Sequence, residues 1–101
     1  MTHPIKTLDD VVHQRARLGV LTILHETARA EFGFLRESLE LTDGNLSRHL
    51  RVLEDAGLIE IEKGYEGRRP RTWIKITRAG RKAFADEIAA LKQLVQRLER
   101  H

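Results

Sequence analysis

Nothing in this sequence narrows its possible structures as much as residues 41–59. Thr42 is suited to cap an incoming helix, because its hydroxyl can accept from amides left free in the first turn. Leu46, Leu50 and Leu53 follow at spacings of four and three, on one face of a helix about three turns long. Gly57 ends that helix in the left-handed conformation a C-terminus favours, and Leu58 and Ile59 begin an extended segment. The opposite face carries Asp43, Gly44, Ser47, Arg48, Arg51 and Asp55, with Asn45 and His49 on its flanks. A helix pinned from behind by three leucines and polar in front can enter a DNA major groove.

The residues upstream give this helix its setting. Phe32, Leu35 and Leu39, with Phe34 beside them, predict a helix over 32–40, and Leu41 plugs the corner before Thr42. Two helices joined so closely make a helix-turn-helix. Before them, Leu18, Leu21, Ile23 and Leu24, with Ala16 and Val20 as smaller fillers, predict a central, almost wholly apolar helix at 15–26. Its main role is expected to be core anchoring, although a helix N-terminus beside Arg15 and Arg17 also suits phosphate. Leu8, Val11 and Val12 predict a short helix or helical turn at 7–13. Residues 25–31 show no clear period and read as a connection; residues 1–6 read as an unstructured lead.

Downstream the period changes from helix to strand. Residues 58–63 and 71–77 alternate in the manner of two strands, with a turn-rich, basic segment at 64–70 between them. A loop of that length is expected to project and move. Pro70, lacking an amide donor, is expected before the second strand rather than in it. Residues 63–82 hold eight basic side chains (Lys63, Arg68, Arg69, Arg71, Lys75, Arg78, Arg81, Lys82) against one acid, Glu66. Residues 42–62 hold two basic residues and five acids, so the local excess, not the modest net charge of +3, suggests a polyanion footprint.

Thr77 is a natural cap for the last helix, with Gly80 a mild penalty inside its first turn. Phe84, Ile88, Leu91, Val95 and Leu98 then step by four, three, four and three along about 20 residues. A monomer of this size cannot cover all of that stripe. Its far half, with Leu8, Val11 and Val12, is therefore expected to meet a second copy.

Composition removes several other classes. With 101 residues, 41% hydrophobic and 33% charged, the chain suits one small ordered domain over 1–101. It contains no cysteine, which excludes disulfides, thiolate metal sites and cysteine nucleophiles. No apolar run approaches the roughly 18 residues of a membrane span, and the first residues do not read as a signal peptide, so a cytoplasmic location is expected. His3, His13, His25, His49 and His101 lack the spacing for one tetrahedral site, so no metal and no cofactor is expected. Glycine-rich phosphate loops, His-Glu-x-x-His stretches and serine-nucleophile elbows are absent, which argues against an enzyme.

At residues 46–59 the sequence resembles the recognition-helix segment of ArsR-like winged-helix repressors. Residues 67–80 resemble the wing and following helix start shared by ArsR-like, MarR-like and PadR-like regulators. The likeness spans roughly residues 15–98 and is nearest to small stand-alone MarR/ArsR-like proteins whose terminal helices make the dimer. It implies an α+β, mostly helical fold: a winged helix-turn-helix with a two-stranded β-hairpin wing and a long C-terminal dimerisation helix, with 1–14 and 77–101 at the dimer interface. Carried onto this sequence, it implies base-edge or phosphate contacts from Asp43, Asn45, Ser47, Arg48 and Arg51. Backbone or minor-groove contacts are implied for Arg68, Arg69 and Arg71.

The residue chemistry ranks these sets. Arg48 suits paired bonds to guanine and Asn45 suits adenine, with capping an equal alternative for Asn45. Ser47 and Arg51 suit phosphate, Asp43 suits the helix dipole, and His49 suits a structural place. Where metal-sensing ArsR-like members carry a cysteine motif, this chain has Phe34, Leu35, Arg36, Glu37 and Ser38. On the terminal helix, Asp86 and Glu87 lack a matching histidine pair. The expected partners are double-stranded DNA, as an inverted repeat, and a second copy of the chain. Whether a small-molecule effector exists is left open. The expected activity is that of a homodimeric transcriptional repressor; the alternative is a winged-helix protein-interaction module without specific DNA binding.

Overall fold

Helix α1 (Arg15–Thr27) is the central element, packed against the two other long helices and the sheet. In the computed structural model, which describes residues 3, 5 and 8–100, its Val20, Leu21 and Leu24 are fully buried. Around it follow β1 (Arg29–Glu31), α2 (Phe32–Ser38), α3 (Asp43–Asp55), β2 (Ile59–Glu66), β3 (Arg69–Ile76) and α4 (Arg78–Glu99). The three strands form one antiparallel sheet in the order β1-β3-β2. This is the expected winged helix-turn-helix, with β2 and β3 as the wing and α4 as the long terminal helix.

The recognition-helix candidate forms for the reasons its sequence suggests. Thr42 Oγ1 accepts from the amide of Asn45 at 3.2 Å, capping α3. Leu46, Leu50 and Leu53 are buried, each contributing about 1.5–3 kcal/mol if fully removed from water. Gly57 takes a φ of 77° just beyond the end. Helix α2 stops at Ser38, two residues short of the expected 40. Glu40 adopts a φ of 53°, and the Leu41 amide donates back to the Arg36 carbonyl at 3.0 Å, closing the helix end and turning the chain into α3.

Three expectations fail for identifiable reasons. The segment taken as a connection contains β1, which pairs Arg29 with Lys75, Ala30 with Ile74 and Glu31 with Trp73. The wing carries a two-residue turn, Gly67 and Arg68, rather than a mobile loop over 64–70. Gly67 has a φ of 64° at the first central position, where a type II′ hairpin turn wants glycine. Pro70 lies inside β3, opposite Tyr65. Alternation of the ladder from the turn-closing Glu66–Arg69 pair makes this a non-hydrogen-bonded position, and β1 does not extend this far, so the missing amide costs no bond.

Of the short helix or helical turn expected for the N-terminal segment, the described residues form the turn. Asp9 accepts the amides of Val11 (2.8 Å) and Val12 (3.3 Å) on its own carboxylate, and its carbonyl accepts from the His13 amide at 2.6 Å. Glu87 of α4, only 1% exposed, holds this turn in place. Its carboxylate accepts the Asp9 amide at 3.1 Å and meets His13 Nδ1 at 2.7 Å. Thr7 and most of the expected lead 1–6 lie outside the described residues. Thr77 caps α4 by accepting from the Gly80 amide at 2.9 Å. Gly80 itself is buried against the Leu58 carbonyl, so it is a packing requirement and not the expected mild penalty.

Candidate nucleic-acid interface

Of the polar residues on α3, Asp43, Asn45, Ser47, Arg48 and Arg51 are all exposed. Their surroundings divide them. Asp43 is ion-paired with Arg36 of α2, Nη1 to Oδ1 at 2.7 Å, so its carboxylate braces the helix-turn-helix corner. That partnership, a hydrogen bond before a Coulombic effect, raises the Arg36 pKa. Arg48 Nη2 donates to Asn45 Oδ1 at 3.0 Å, one turn back along the helix. This pair, with His49, Gln14, Arg15 and residues 38–41, lines a recess of about 580 Å³ on one flank of α3.

The other flank faces the wing. Ser47, Leu50, Arg51 and Glu54 of α3, Phe32 of α2, and Ile61, Lys63 and Thr72 of the hairpin enclose an open groove of about 730 Å³. Successive side chains of a strand point to opposite faces. Lys63 and Thr72 therefore mark the α3 side of the wing, and Arg71 belongs to the other side. Lys63 counted only towards local charge in the sequence; its position beside Ser47 and Arg51 emerges once the hairpin register is known.

The wing arginines differ from one another in the same way. Arg68 sits in the turn and Arg69 at the strand start, both exposed. Arg71 is half-buried: its Nη1 donates to Glu31 Oε1 at 2.8 Å, and its Nε lies 3.3 Å from Glu66 Oε2. Arg17 also turns inward. Its Nε donates to the Val11 carbonyl at 2.6 Å, its Nη2 to the Asp10 carbonyl at 3.4 Å, and its Nη1 meets His49 Nδ1 at 3.2 Å. This arginine ties the N-terminal turn to α3 rather than reaching outward. Burial first, then the charges of Arg17 and Arg48, lower the His49 pKa from its usual 6.5, so the ring accepts from Arg17 in its neutral form.

The residues expected at a dimer interface separate along α4. Val12 and Phe84 belong to the chain's own core, at 0% and 7% exposed. Leu8, Val11, Ile88 and Leu91 are half-buried. Val95 and Leu98 are 52% and 74% exposed, and a shallow groove runs along Ile88, Leu91, Lys92, Val95, Gln96 and Glu99. Among the described residues no three His, Asp or Glu side chains stand together as a metal site, and no helix is long and apolar enough to cross a membrane.

Known proteins share this fold. Residues 16–95 match the family model described as Winged helix DNA-binding domain. An uncharacterized protein of Methanocaldococcus jannaschii is 42% identical over 83 residues, covering 82% of this chain and 90% of that one. The solved structure of a transcriptional regulator homologue protein from Pyrococcus horikoshii OT3 superposes with a TM-score of 0.89 at 31% identity, covering 96% of this chain and 98% of the other. A MarR-family transcriptional regulator from Silicibacter pomeroyi shares the fold, with a TM-score of 0.69 at 23% identity over 94% of this chain and 63% of that one.

Proposed function

Because the chain belongs to the winged helix DNA-binding domain family and has the fold of MarR-type transcriptional regulators, we propose that it binds double-stranded DNA sequence-specifically as a homodimer and represses transcription. The family is one of DNA-binding domains and not of enzymes. The observation that carries the proposal is the pairing of an exposed polar α3 face with an arginine-tipped hairpin across one open groove. Arg48 and Asn45 read base edges, while Ser47, Arg51 and Lys63 hold phosphate and set the register. Arg68 and Arg69 reach the neighbouring backbone or minor groove, where a planar guanidinium bridges phosphate oxygens or sits in a narrow electronegative channel.

A single winged helix reads only a few bases, and the apolar end of α4 supplies the means to double that number. Joining two copies through Ile88, Leu91, Val95 and Leu98 covers Val95 and Leu98, which the chain itself leaves in water, and the exposed parts of the half-buried Ile88 and Leu91. Two recognition helices one DNA turn apart, about 34 Å, call for an inverted-repeat operator. Occupying a promoter in this way blocks it sterically, in the cytoplasm where such a promoter lies. The test is selection of bound fragments from random duplex DNA, with stoichiometry measured on the winner. An enriched inverted repeat with two chains per duplex is the expected result. Failure to enrich any sequence overturns the proposal.

A further inference from the structure

Building on the DNA-binding reading above, we propose that Arg71 is a positioning residue that fixes the wing against the helix-turn-helix, and not a contact to DNA. Strand β1 pairs only with Trp73, Ile74 and Lys75 of β3. Beyond Trp73 the wing is a bare two-stranded ribbon, and such ribbons are marginal by themselves and free to twist. Arg71 stands just past the point where the third strand stops.

Its partners come from both sides of that boundary. Glu31 ends β1 and is the N-cap residue of α2, and its Oε1 accepts from Arg71 Nη1 at 2.8 Å. Glu66 belongs to the far end of β2, and its Oε2 lies 3.3 Å from Arg71 Nε. That Nε is buried and too poorly aligned for a hydrogen bond, so the contact with Glu66 is an ion pair alone. Arg71 is thus charge-compensated by two carboxylates, on the face of the wing opposite the groove lined by Thr72 and Lys63. The guanidinium joins the start of α2, β3 and the wing tip into one unit. The angle of the wing, and with it the reach of Arg68 and Arg69, follows from this brace.

Salt dependence separates a positioning role from a phosphate contact, because each lost phosphate contact lowers the slope of log K against log salt by about one. Arg71→Gln, Glu31→Gln and, for comparison, Arg68→Gln are titrated with the selected duplex over a salt series. Hydrogen exchange of the wing amides is measured on the same free proteins. Arg71→Gln is expected to weaken binding about tenfold with the slope unchanged. Glu31→Gln should weaken it too, although it removes a negative charge, and the double variant should be no worse than Arg71→Gln. Arg68→Gln should lower the slope by about one. Both brace variants should speed exchange over 62–71 while the core amides keep their protection.

The proposal is overturned if Arg71→Gln flattens the slope and Glu31→Gln tightens binding. It is overturned equally if wing exchange is unchanged in both variants. The exchange measurement uses no DNA, so it decides the role of the brace even if the duplex selection fails.

Discussion

A Cβ on Gly80 would lie 2.1 Å from the carbonyl oxygen of Leu58. That carbonyl cannot retreat, because it accepts from the Thr77 amide at 3.0 Å, while Thr77 Oγ1 donates to the Gly57 carbonyl at 2.7 Å. The start of α4 is thereby docked on the turn that ends α3. Helix propensity alone would make Gly80→Ala stabilising by about 1 kcal/mol. The close approach reverses the sign, and Gly80→Ala is expected to destabilise by about 2–3 kcal/mol. Gly44 in the first turn of α3 has nothing within 4 Å, so Gly44→Ala should be neutral or mildly stabilising. Urea unfolding midpoints of the two variants give the comparison.

His49 makes stability depend on pH. Burial and two neighbouring arginines depress its folded pKa below the usual 6.5, so the unfolded chain binds the proton more readily. The stabilisation is therefore fully present above pH 6.5 and is lost as pH falls through the folded value. Protonation also removes the acceptor that Nδ1 offers to Arg17. Thermal midpoints measured from neutral pH downward should fall more steeply for the wild-type chain than for His49→Gln, which keeps an acceptor but cannot titrate. Parallel curves would refute this role.

These cases show what could be read before folding. The α3 cap, its leucine face and the α4 stripe were legible because each is a local, periodic signal confined to one element. Strand β1 was not, since three residues are too few to show a period of two. Arg29, Ala30 and Glu31 become a strand only because β3 offers a ladder, with the Arg29 guanidinium 4.0 Å above the Trp73 ring. Pro70 misled for the same reason: its cost depends on which side of β3 lacks a neighbour. On the candidate interface, residue type identified the basic residues but not their directions. Arg17 and Arg71 looked outward until the N-terminal turn, Glu31 and Glu66 were placed beside them.

Arg48 and Asn45 are held together at 3.0 Å, so they should behave as one reading unit. Arg48→Ala is expected to weaken binding to the selected operator by about 1–3 kcal/mol and to relax preference at one base pair. Asn45→Ala frees the Arg48 fork and should lose a smaller amount at the same position. Because neighbouring groups share their partner, the double variant should cost less than the two singles added. Binding measured on a panel of single-base operator changes tests the coupling; additive losses at two separate positions would break the unit apart.

The exposed end of α4 should govern assembly without governing the fold of one chain. Val95 and Leu98 are 52% and 74% exposed and lie outside the core cluster, so changing them removes little packing within the monomer. In a two-fold interface each position occurs twice, once in each copy, so a charge placed there would be buried twice without a partner. Val95→Glu is therefore expected to shift sedimentation from dimer to monomer, raising the dissociation constant by about a hundredfold. Circular dichroism at concentrations where both proteins are monomeric should give matching unfolding midpoints. The same variant should keep weak, non-specific DNA binding, because Lys63, Arg68 and Arg69 lie on the wing and not on α4. Its affinity for an inverted repeat should drop to that of a single half-site. A Val95→Glu protein that remained dimeric would move the interface elsewhere, and with it the spacing required of the two α3 helices.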